Sequence, residues 1–245
     1  MARHFFFFIA LVALGGFLIF SSAALGLLSG GGASYDRVVW NQFLTLLVGL
    51  LAMLLIGRFP YRQWRKIAVW LFGLSLLLTI LVFVPELGFS SGGASRWISL
   101  GSRTFQPSEF LKLGFIIYLA AWLAKIRERV TTWRSGFLPF LFFCGLTVFI
   151  LIAQPDLGTG LVLLTAATAM FFAAGANWRQ ISLLFLLALL GFLAVIILKP
   201  YARERVVTFL YPDQKVESSA WQINQSLIAI GSGGLTGRGF GQSLQ

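Results

Sequence analysis

Seven long apolar runs constrain this chain more than any other feature, because each is long enough to cross a membrane as a helix. Crossing ~30 Å of hydrocarbon takes about 20 residues of α-helix. We expect helices over residues 5–28, 38–56, 67–84, 108–124, 137–153, 157–174 and 181–198. With 58% hydrophobic and 11% charged residues, the chain has too few polar side chains to cover a soluble globule. The sequence therefore predicts an all-α, polytopic membrane protein with a transmembrane domain over residues 1–198.

Basic residues fall mainly on one side of this predicted domain, and the asymmetry predicts its orientation. If the amino terminus is cytoplasmic, the short outer loops hold only Arg37, Arg96 and Arg103. The inner side then carries Arg3, Arg58, Arg62, Arg65, Lys66, Lys125, Arg127, Arg129, Arg134 and Arg179. Cytoplasmic loops are enriched in Lys and Arg, so we expect a cytoplasmic amino terminus. The net charge of +11 then reflects topology, and we expect no nucleic-acid partner.

Cysteine and histidine usage excludes several kinds of site. Cys144 is the only cysteine and lies within an apolar run, so the chain has no disulfide framework and no cysteine metal site. His4 is the only histidine, which excludes a histidine-based triad, zinc site or proton relay within the chain. The first run, from Phe5 to Leu28, exceeds the core of about 7–15 residues found in a signal peptide. We expect it to remain as a membrane anchor.

Two segments on the predicted outer face are unusual. Residues 86–105 are long for a connection and combine glycines with Trp97 and Ile98; they either line a water-filled cavity or lie on the interface. Residues 199–245 are expected to begin a large extracytoplasmic loop, with an amphipathic helix over residues 220–230. The glycine-rich end lacks the pattern of a phosphate-binding P-loop. Because the chain stops inside this polar segment, we expect it to be the amino-terminal part of a longer protein.

Charged and amide side chains at the start of the fourth run form the first candidate site. In Gln106-Pro107-Ser108-Glu109, the proline suits the first helical position, and Glu109 then complements the exposed amides. Glu109 and Lys112 are three residues apart, share a helical face and can pair. Two interpretations stay open, a helix cap with an ion pair or a polar functional cavity.

The start of the sixth run, Gln154-Pro155-Asp156, repeats this pattern on the same predicted face. Two helix amino termini there would attract a phosphate-like anion, with support from Lys112, Arg96 and Arg103. The carboxylates of Glu109 and Asp156 oppose an anion unless a basic residue or a divalent cation lies between them. The carboxylates could also supply acid and base to a glycosyl transfer, or carry protons in a transporter.

Four stretches stand in order between the apolar runs: GGASRWISLG, QPSEFLK, QPDLGTG and WQINQSLIAIGSGGLTGRGFGQS. Together they resemble the SEDS family (shape, elongation, division and sporulation) of membrane glycosyltransferases, typified by FtsW and RodA, over essentially the whole chain. The resemblance implies the amino-terminal part of a ten-helix fold that polymerises lipid II into peptidoglycan strands at the outer face of the bacterial cytoplasmic membrane. Ser21-Ser22-Ala23 and the form of GGASRWISLG favour the FtsW-like division type over the RodA-like elongation type.

The resemblance also implies partners: a class B penicillin-binding transpeptidase, other division or elongation membrane proteins, and membrane lipid. It places Gln106, Glu109 and Lys112 among the cavity residues of the family, and Asp156 at the acid of its Gln-Pro-Asp motif. The full candidate substrate-binding set is Arg96, Gln106, Glu109, Lys112, Asp156, Gln222 and Gln225.

The catalytic residues stay unassigned. The family's proposed catalytic aspartate belongs to a Leu-Pro-Glu-x-His-Thr-Asp motif that follows the glycine-rich segment, beyond Gln245. On this resemblance the whole protein is an enzyme, and we expect these 245 residues alone to be inactive. No metal site is predicted, and a divalent cation is the one cofactor left open. The alternatives are a flippase for a lipid-linked precursor and a noncatalytic division scaffold.

Overall fold

The computed structural model describes residues 2–25, 35–91, 94–101, 103–210, 221–234 and 236–242. Two units divide the chain: Met1–Phe59 with Glu204–Gln245, and Pro60–Arg203. In the described ranges the α-helices are α1 (Ala2–Ala24), α2 (Tyr35–Gly57), α3 (Tyr61–Leu81), α4 (Pro107–Lys125), α5 (Leu138–Ala153), α6 (Leu157–Ala173), α7 (Trp178–Leu198), α8 (Pro200–Leu210) and α9 (Trp221–Gly233).

Helices long and apolar enough to cross a membrane account for most of the chain. In the described ranges they are His4–Ala24, Tyr35–Gly57, Tyr61–Leu81, Pro107–Lys125, Trp133–Ala153 and Trp178–Leu198, with Leu157–Ala173 as a shorter apolar helix. Each predicted run thus coincides with a helix. The prediction of a helical, multi-pass membrane protein is confirmed, whereas its division into a domain over residues 1–198 and an outer loop stays a prediction.

Helix ends differ from the predicted ones where polar residues extend a helix beyond its apolar part. α3 begins at Tyr61, after Pro60, and therefore includes basic residues that the hydropathy pattern placed in a loop. α7 begins at Trp178, after Asn177, whose backbone amide donates to the Gln180 side chain at 3.0 Å and so caps the first turn. In the first run, α1 ends at Ala24, and residues 26–28 lie outside the described part.

A small antiparallel sheet joins α3 to α4, where the sequence predicted no strands. It consists of β1 (Gly88–Ser91), β2 (Ala94–Leu100) and β3 (Arg103–Phe105), in the order β1-β2-β3. Ile98 of β2 is paired with Gly88 on one side and with Phe105 on the other, and its side chain is buried. The sheet hydrogen-bonds the backbone of a segment for which we expected an irregular re-entrant or interfacial path.

The core of the second unit lies among α3, α4, α5, α6 and α7. α3 and α4 approach closely at Gly114, since a Cβ there would lie 2.5 Å from the hydroxyl of Ser75 and 3.0 Å from the carbonyl oxygen of Leu71. Small residues allow this close contact between membrane helices. Aromatic side chains pack between α5 and α6, where the Phe140 and Phe171 rings stack with centroids 4.2 Å apart.

In the first unit α1 packs on α2, with the Phe17 and Phe43 ring centroids 5.8 Å apart. The Ser22 hydroxyl accepts a hydrogen bond from the Gly241 amide at 2.7 Å. The helix predicted over residues 220–230 is present as α9 and extends to Gly233. α8 was not predicted, because its eleven residues have no long apolar run.

Candidate functional site

Arg96 connects the sheet to the turn between α5 and α6. Its Nε donates to the carbonyl oxygen of Gln154 at 3.2 Å, and its Nη2 donates to the carbonyl oxygen of Pro155. Carbonyls at the end of a helix lack intrahelical partners and carry partial negative charge. Arg96 therefore caps the carboxyl end of α5. The sequence suggested an arginine facing an anion, whereas the structure commits two of its donor groups to the backbone.

Gln154 is a buried connector that the sequence pattern showed only as part of a motif. Its side chain is 1% exposed, and its Nε2 donates to the carbonyl oxygen of Thr79 in α3 at 2.6 Å. Thr79 in turn donates its hydroxyl to the Ser75 carbonyl oxygen at 2.7 Å. An amide at the end of an apolar run needs a partner inside the protein, and that requirement is the signal that points to Gln154.

Asp156 is buried with one carboxylate oxygen unsatisfied. The residue is 6% exposed and precedes the first turn of α6, where its Oδ1 accepts a long hydrogen bond of 3.4 Å from the Thr159 amide. Among the described residues nothing donates to its Oδ2. Leaving a buried acceptor unpaired costs about 1–3 kcal/mol. This oxygen is therefore the unsatisfied acceptor of the turn among the described residues.

Glu109 and Lys112 form the predicted ion pair in the first two turns of α4. Lys112 Nζ lies 2.8 Å from Glu109 Oε2, and the side chains are 31% and 56% exposed, respectively. Gln106, immediately before the helix, donates its Nε2 to the Ser108 hydroxyl at 3.0 Å. The pair is thus accessible, and its ammonium group can reach a ligand from the exposed side.

The sheet brings the starts of α4 and α6 together. β3 ends at Phe105, one residue before Gln106, and Arg96 in β2 binds the turn that precedes α6. α4 and α6 also pack directly on each other. Gln225 is half-buried on α9 in the first unit, and the side chain of Gln222 lies outside the described residues. The place of both glutamines relative to this site stays a prediction.

The two carboxylates differ in their surroundings, which gives them different chemistry. Glu109 is half-exposed and neutralised by Lys112, whereas Asp156 is buried with an unpaired oxygen. Among the described residues no group of three His, Cys, Asp or Glu side chains could hold a metal ion. A divalent cation at Asp156 would therefore need further oxygen ligands from a bound phosphate.

Known proteins resemble this chain in both sequence and fold. The family profile described as "Cell cycle protein", FtsW/RodA/SpoVE, matches residues 2–245. Stage V sporulation protein E of Bacillus subtilis (strain 168) is 38% identical over 205 residues, which cover 84% of this chain and 56% of the relative. The "Probable peptidoglycan glycosyltransferase FtsW" of Geobacter sp. (strain M18) is 39% identical over 205 residues, with the same two shares.

A solved structure resembles the fold. It is described as "Structural coordination of polymerization and crosslinking by a peptidoglycan synthase complex", and it matches with a TM-score of 0.66 and 38% identity over 89% of this chain and 65% of that chain. The chain spans about half the length of the two curated relatives, 56% in each case.

Proposed function

We propose, from the premise that this chain belongs to the FtsW/RodA/SpoVE (SEDS) family of cell cycle proteins, that it is part of a peptidoglycan glycosyltransferase. The sequence motifs predicted this family and favoured its FtsW type. The substrate is lipid II, polymerised into glycan strands at the outer face of the bacterial cytoplasmic membrane. The amino terminus is cytoplasmic in this proposal, which the asymmetry of basic residues supports.

The proposal rests on two side chains at neighbouring helix starts. One is a buried acid with incomplete hydrogen bonds, and the other carries an accessible ammonium group. Asp156 has the unpaired Oδ2, and Lys112 is one-third exposed beside Glu109. A lipid-linked diphosphate sugar presents hydroxyl donors next to phosphate anions. The Asp156 oxygen is an acceptor for a sugar hydroxyl, and the Lys112 ammonium group supplies a positive charge for the phosphates.

Each side chain has a role in this proposal. Lys112 binds the diphosphate, and Glu109 orients the Lys112 ammonium group. Asp156 Oδ2 accepts a sugar hydroxyl, or is one ligand of a divalent cation that also binds the phosphates. Arg96 and Gln154 position Asp156 through the turn that they hold. Gln106 contributes a polar contact to the sugar, and the assignment of Gln222 and Gln225 to the substrate-binding set rests on the sequence motifs alone.

The proposal includes a transpeptidase partner. The solved structure at TM-score 0.66 is described as a peptidoglycan synthase complex in which polymerization and crosslinking are coordinated. We therefore propose that the complete protein binds a class B penicillin-binding transpeptidase in the membrane, together with other division or elongation proteins.

Asp156→Asn tests the proposal against a matched control. In the complete gene product that carries this sequence, we expect Asp156→Asn to reduce the rate of lipid II polymerisation by about tenfold or more. The asparagine replaces one acceptor oxygen with an NH₂ donor, which cannot accept a hydrogen bond from a substrate hydroxyl. Asp36→Asn removes an exposed acid from the first turn of α2 and should leave the rate unchanged.

If both variants polymerised lipid II at the same rate, Asp156 would not belong to the substrate-binding site. If the wild-type protein moved lipid II across vesicle membranes without making polymer, its function would be that of a flippase and not of a glycosyltransferase.

A further inference from the structure

A hydrogen bond from the buried side chain of Gln180 links α7 to the α4–α5 connection, at the end of the second unit where α4 ends and α5 and α7 begin. Gln180 in α7 is 1% exposed, and its Nε2 donates to the carbonyl oxygen of Thr131 at 3.1 Å. Its Oε1 accepts from the Asn177 amide at 3.0 Å. The first turn of α7 is thereby fixed to the connection between α4 and α5.

The connection itself is tightly folded. The carbonyl oxygen of Arg129 accepts both the amide and the hydroxyl of Thr132, at 3.0 Å and 2.6 Å. Val130 and Phe137 are each 1% exposed and anchor the segment in the core. Gly136 lies against the backbone so closely that a Cβ would be 2.7 Å from the Arg129 carbonyl oxygen. The segment is thus a built surface and not a loose loop.

Basic side chains cover this surface, and we call them the basic patch. Its members, all exposed, are Lys125, Arg127, Arg129, Arg134 and Arg179. Within the described part of the chain, none of the five side chains makes an ion pair or a hydrogen bond, although Glu128 lies between two of them in sequence. Their charges are therefore available to an external anion.

Arg134 and Arg179 oppose the dipoles of their own helices. Arg134 lies in the π-helical turn Trp133–Phe137 that leads into α5, and Arg179 lies in the first turn of α7, which contains no acidic residue. A positive charge at a helix amino terminus is unfavourable, whereas an anion there is stabilised. Helix stability therefore does not explain why an arginine occupies either position. Lys125, in the last turn of α4, has the favourable sign.

A tryptophan precedes each of these two arginines and indicates the depth of the patch. Trp133 is 52% exposed and Trp178 is 72% exposed, while each contacts a phenylalanine ring, with ring centroids 5.0 Å and 5.1 Å apart. Exposed tryptophans of membrane proteins concentrate at the headgroup level. The patch therefore lies where lipid phosphates are.

We propose that the basic patch is a binding site for the phosphate headgroups of anionic phospholipids, with Arg134 and Arg179 as its central contacts. Unpaired guanidinium groups suit phosphate oxygens, and basic pockets between transmembrane helices bind such headgroups. The site lies in the second unit alone, and it is independent of the proposed glycosyltransferase activity.

The test measures lipid-dependent stabilisation of the purified complete gene product in neutral detergent. Phosphatidylglycerol and cardiolipin should raise the thermal midpoint in a saturable way, and phosphatidylcholine should not. Arg134→Gln/Arg179→Gln should weaken the apparent affinity for the anionic lipids by about tenfold or more, since each charge near the surface contributes about fivefold. Arg134→Lys/Arg179→Lys should keep most of the affinity and so exclude misfolding as the cause.

The matched control is Arg58→Gln/Arg62→Gln, which removes two exposed charges from the same predicted side of the membrane. If this control lost as much affinity for the anionic lipids, the effect would come from net charge alone, and the proposed binding site would be wrong. Equal stabilisation by inorganic phosphate would overturn the assignment to lipid. Stabilisation by an acidic peptide but not by anionic vesicles would make the partner a protein instead.

Discussion

Two buried polar side chains at the α5–α6 turn differ in whether their hydrogen bonds are complete. Gln154 donates to Thr79, and its backbone carbonyl accepts from Arg96. Asp156, two residues later, has an oxygen with no donor among the described residues. A turn held so firmly on one side presents its one unsatisfied oxygen in a defined position, which is what a substrate-binding acid needs.

At the residue scale we predict that Arg96→Gln destabilises the fold. The variant loses the guanidinium bonds to two carbonyls at the end of α5, and hydrogen bonds that involve a charged group are each worth roughly 1.5–3 kcal/mol. The thermal midpoint in detergent should fall by several degrees. Arg65→Gln, which changes an exposed arginine of α3, is the control and should be neutral. An unchanged midpoint for Arg96→Gln would show that the bonds to Gln154 and Pro155 do not hold the turn.

At the scale of elements, α3 and α4 pack closely on each other in the second unit. It depends on Gly114, which faces the Leu71 carbonyl and the Ser75 hydroxyl. The position of α4 along α3 in turn sets where Gln106, Glu109 and Lys112 emerge beside the sheet. Packing of small residues thereby positions the polar ones.

We therefore predict that Gly114→Ala destabilises the second unit by about 1–3 kcal/mol, because the added methyl group overlaps backbone that cannot move freely. Gly73→Ala is the control, since nothing lies within 4 Å of a Cβ at that position of α3. It should be neutral or slightly stabilising. Chemical or thermal unfolding of both variants in the same detergent checks the difference, and equal stability would contradict the close contact.

The sequence predicted the helices well and the sheet not at all, for physical reasons. A membrane helix makes its backbone hydrogen bonds locally, so about 20 apolar residues identify it. Strand pairing depends on distant partners, and glycine-rich residues 88–105 contain no long alternating pattern. The same distinction holds in the site. The Glu109–Lys112 pair follows from spacing along one helix, whereas Arg96 binds carbonyls 58 and 59 positions away.

At the scale of the whole molecule, large apolar side chains remain exposed on most helices, and α2 has no buried residue. In water such a surface would aggregate, but lipid chains solvate it in a bilayer. Polar groups are instead concentrated at helix ends, in the Arg96–Asp156 region and in the basic patch. The molecule therefore has a polar site at one end of the second unit's helices and a strongly basic surface at another set of helix ends.

The positive-inside asymmetry predicts which end faces the cytoplasm. In a background with Cys144 replaced, a cysteine at Ser34 should react with an impermeant reagent added outside intact cells, because Ser34 lies between the first two predicted spans, on the outer side in this topology. A cysteine at Thr131 should react only after the membrane is opened. Labelling of Thr131 but not Ser34 from outside would reverse the orientation and move the proposed site to the cytoplasmic face.

The measurement that bears most directly on the glycosyltransferase proposal is lipid II polymerisation by the complete gene product with Glu109→Gln/Lys112→Met. This double variant keeps side chains of similar volume and removes both charges, so a purely structural ion pair could be replaced without loss. The thermal midpoint checks that the variant is folded.

We predict that the wild-type protein makes glycan strands and that the folded double variant loses roughly a hundredfold in rate, the scale expected when a charged group that stabilises the reacting centre is removed. Normal rate and strand length from the double variant would contradict this account and leave Glu109 and Lys112 as an ion pair that only stabilises the start of α4.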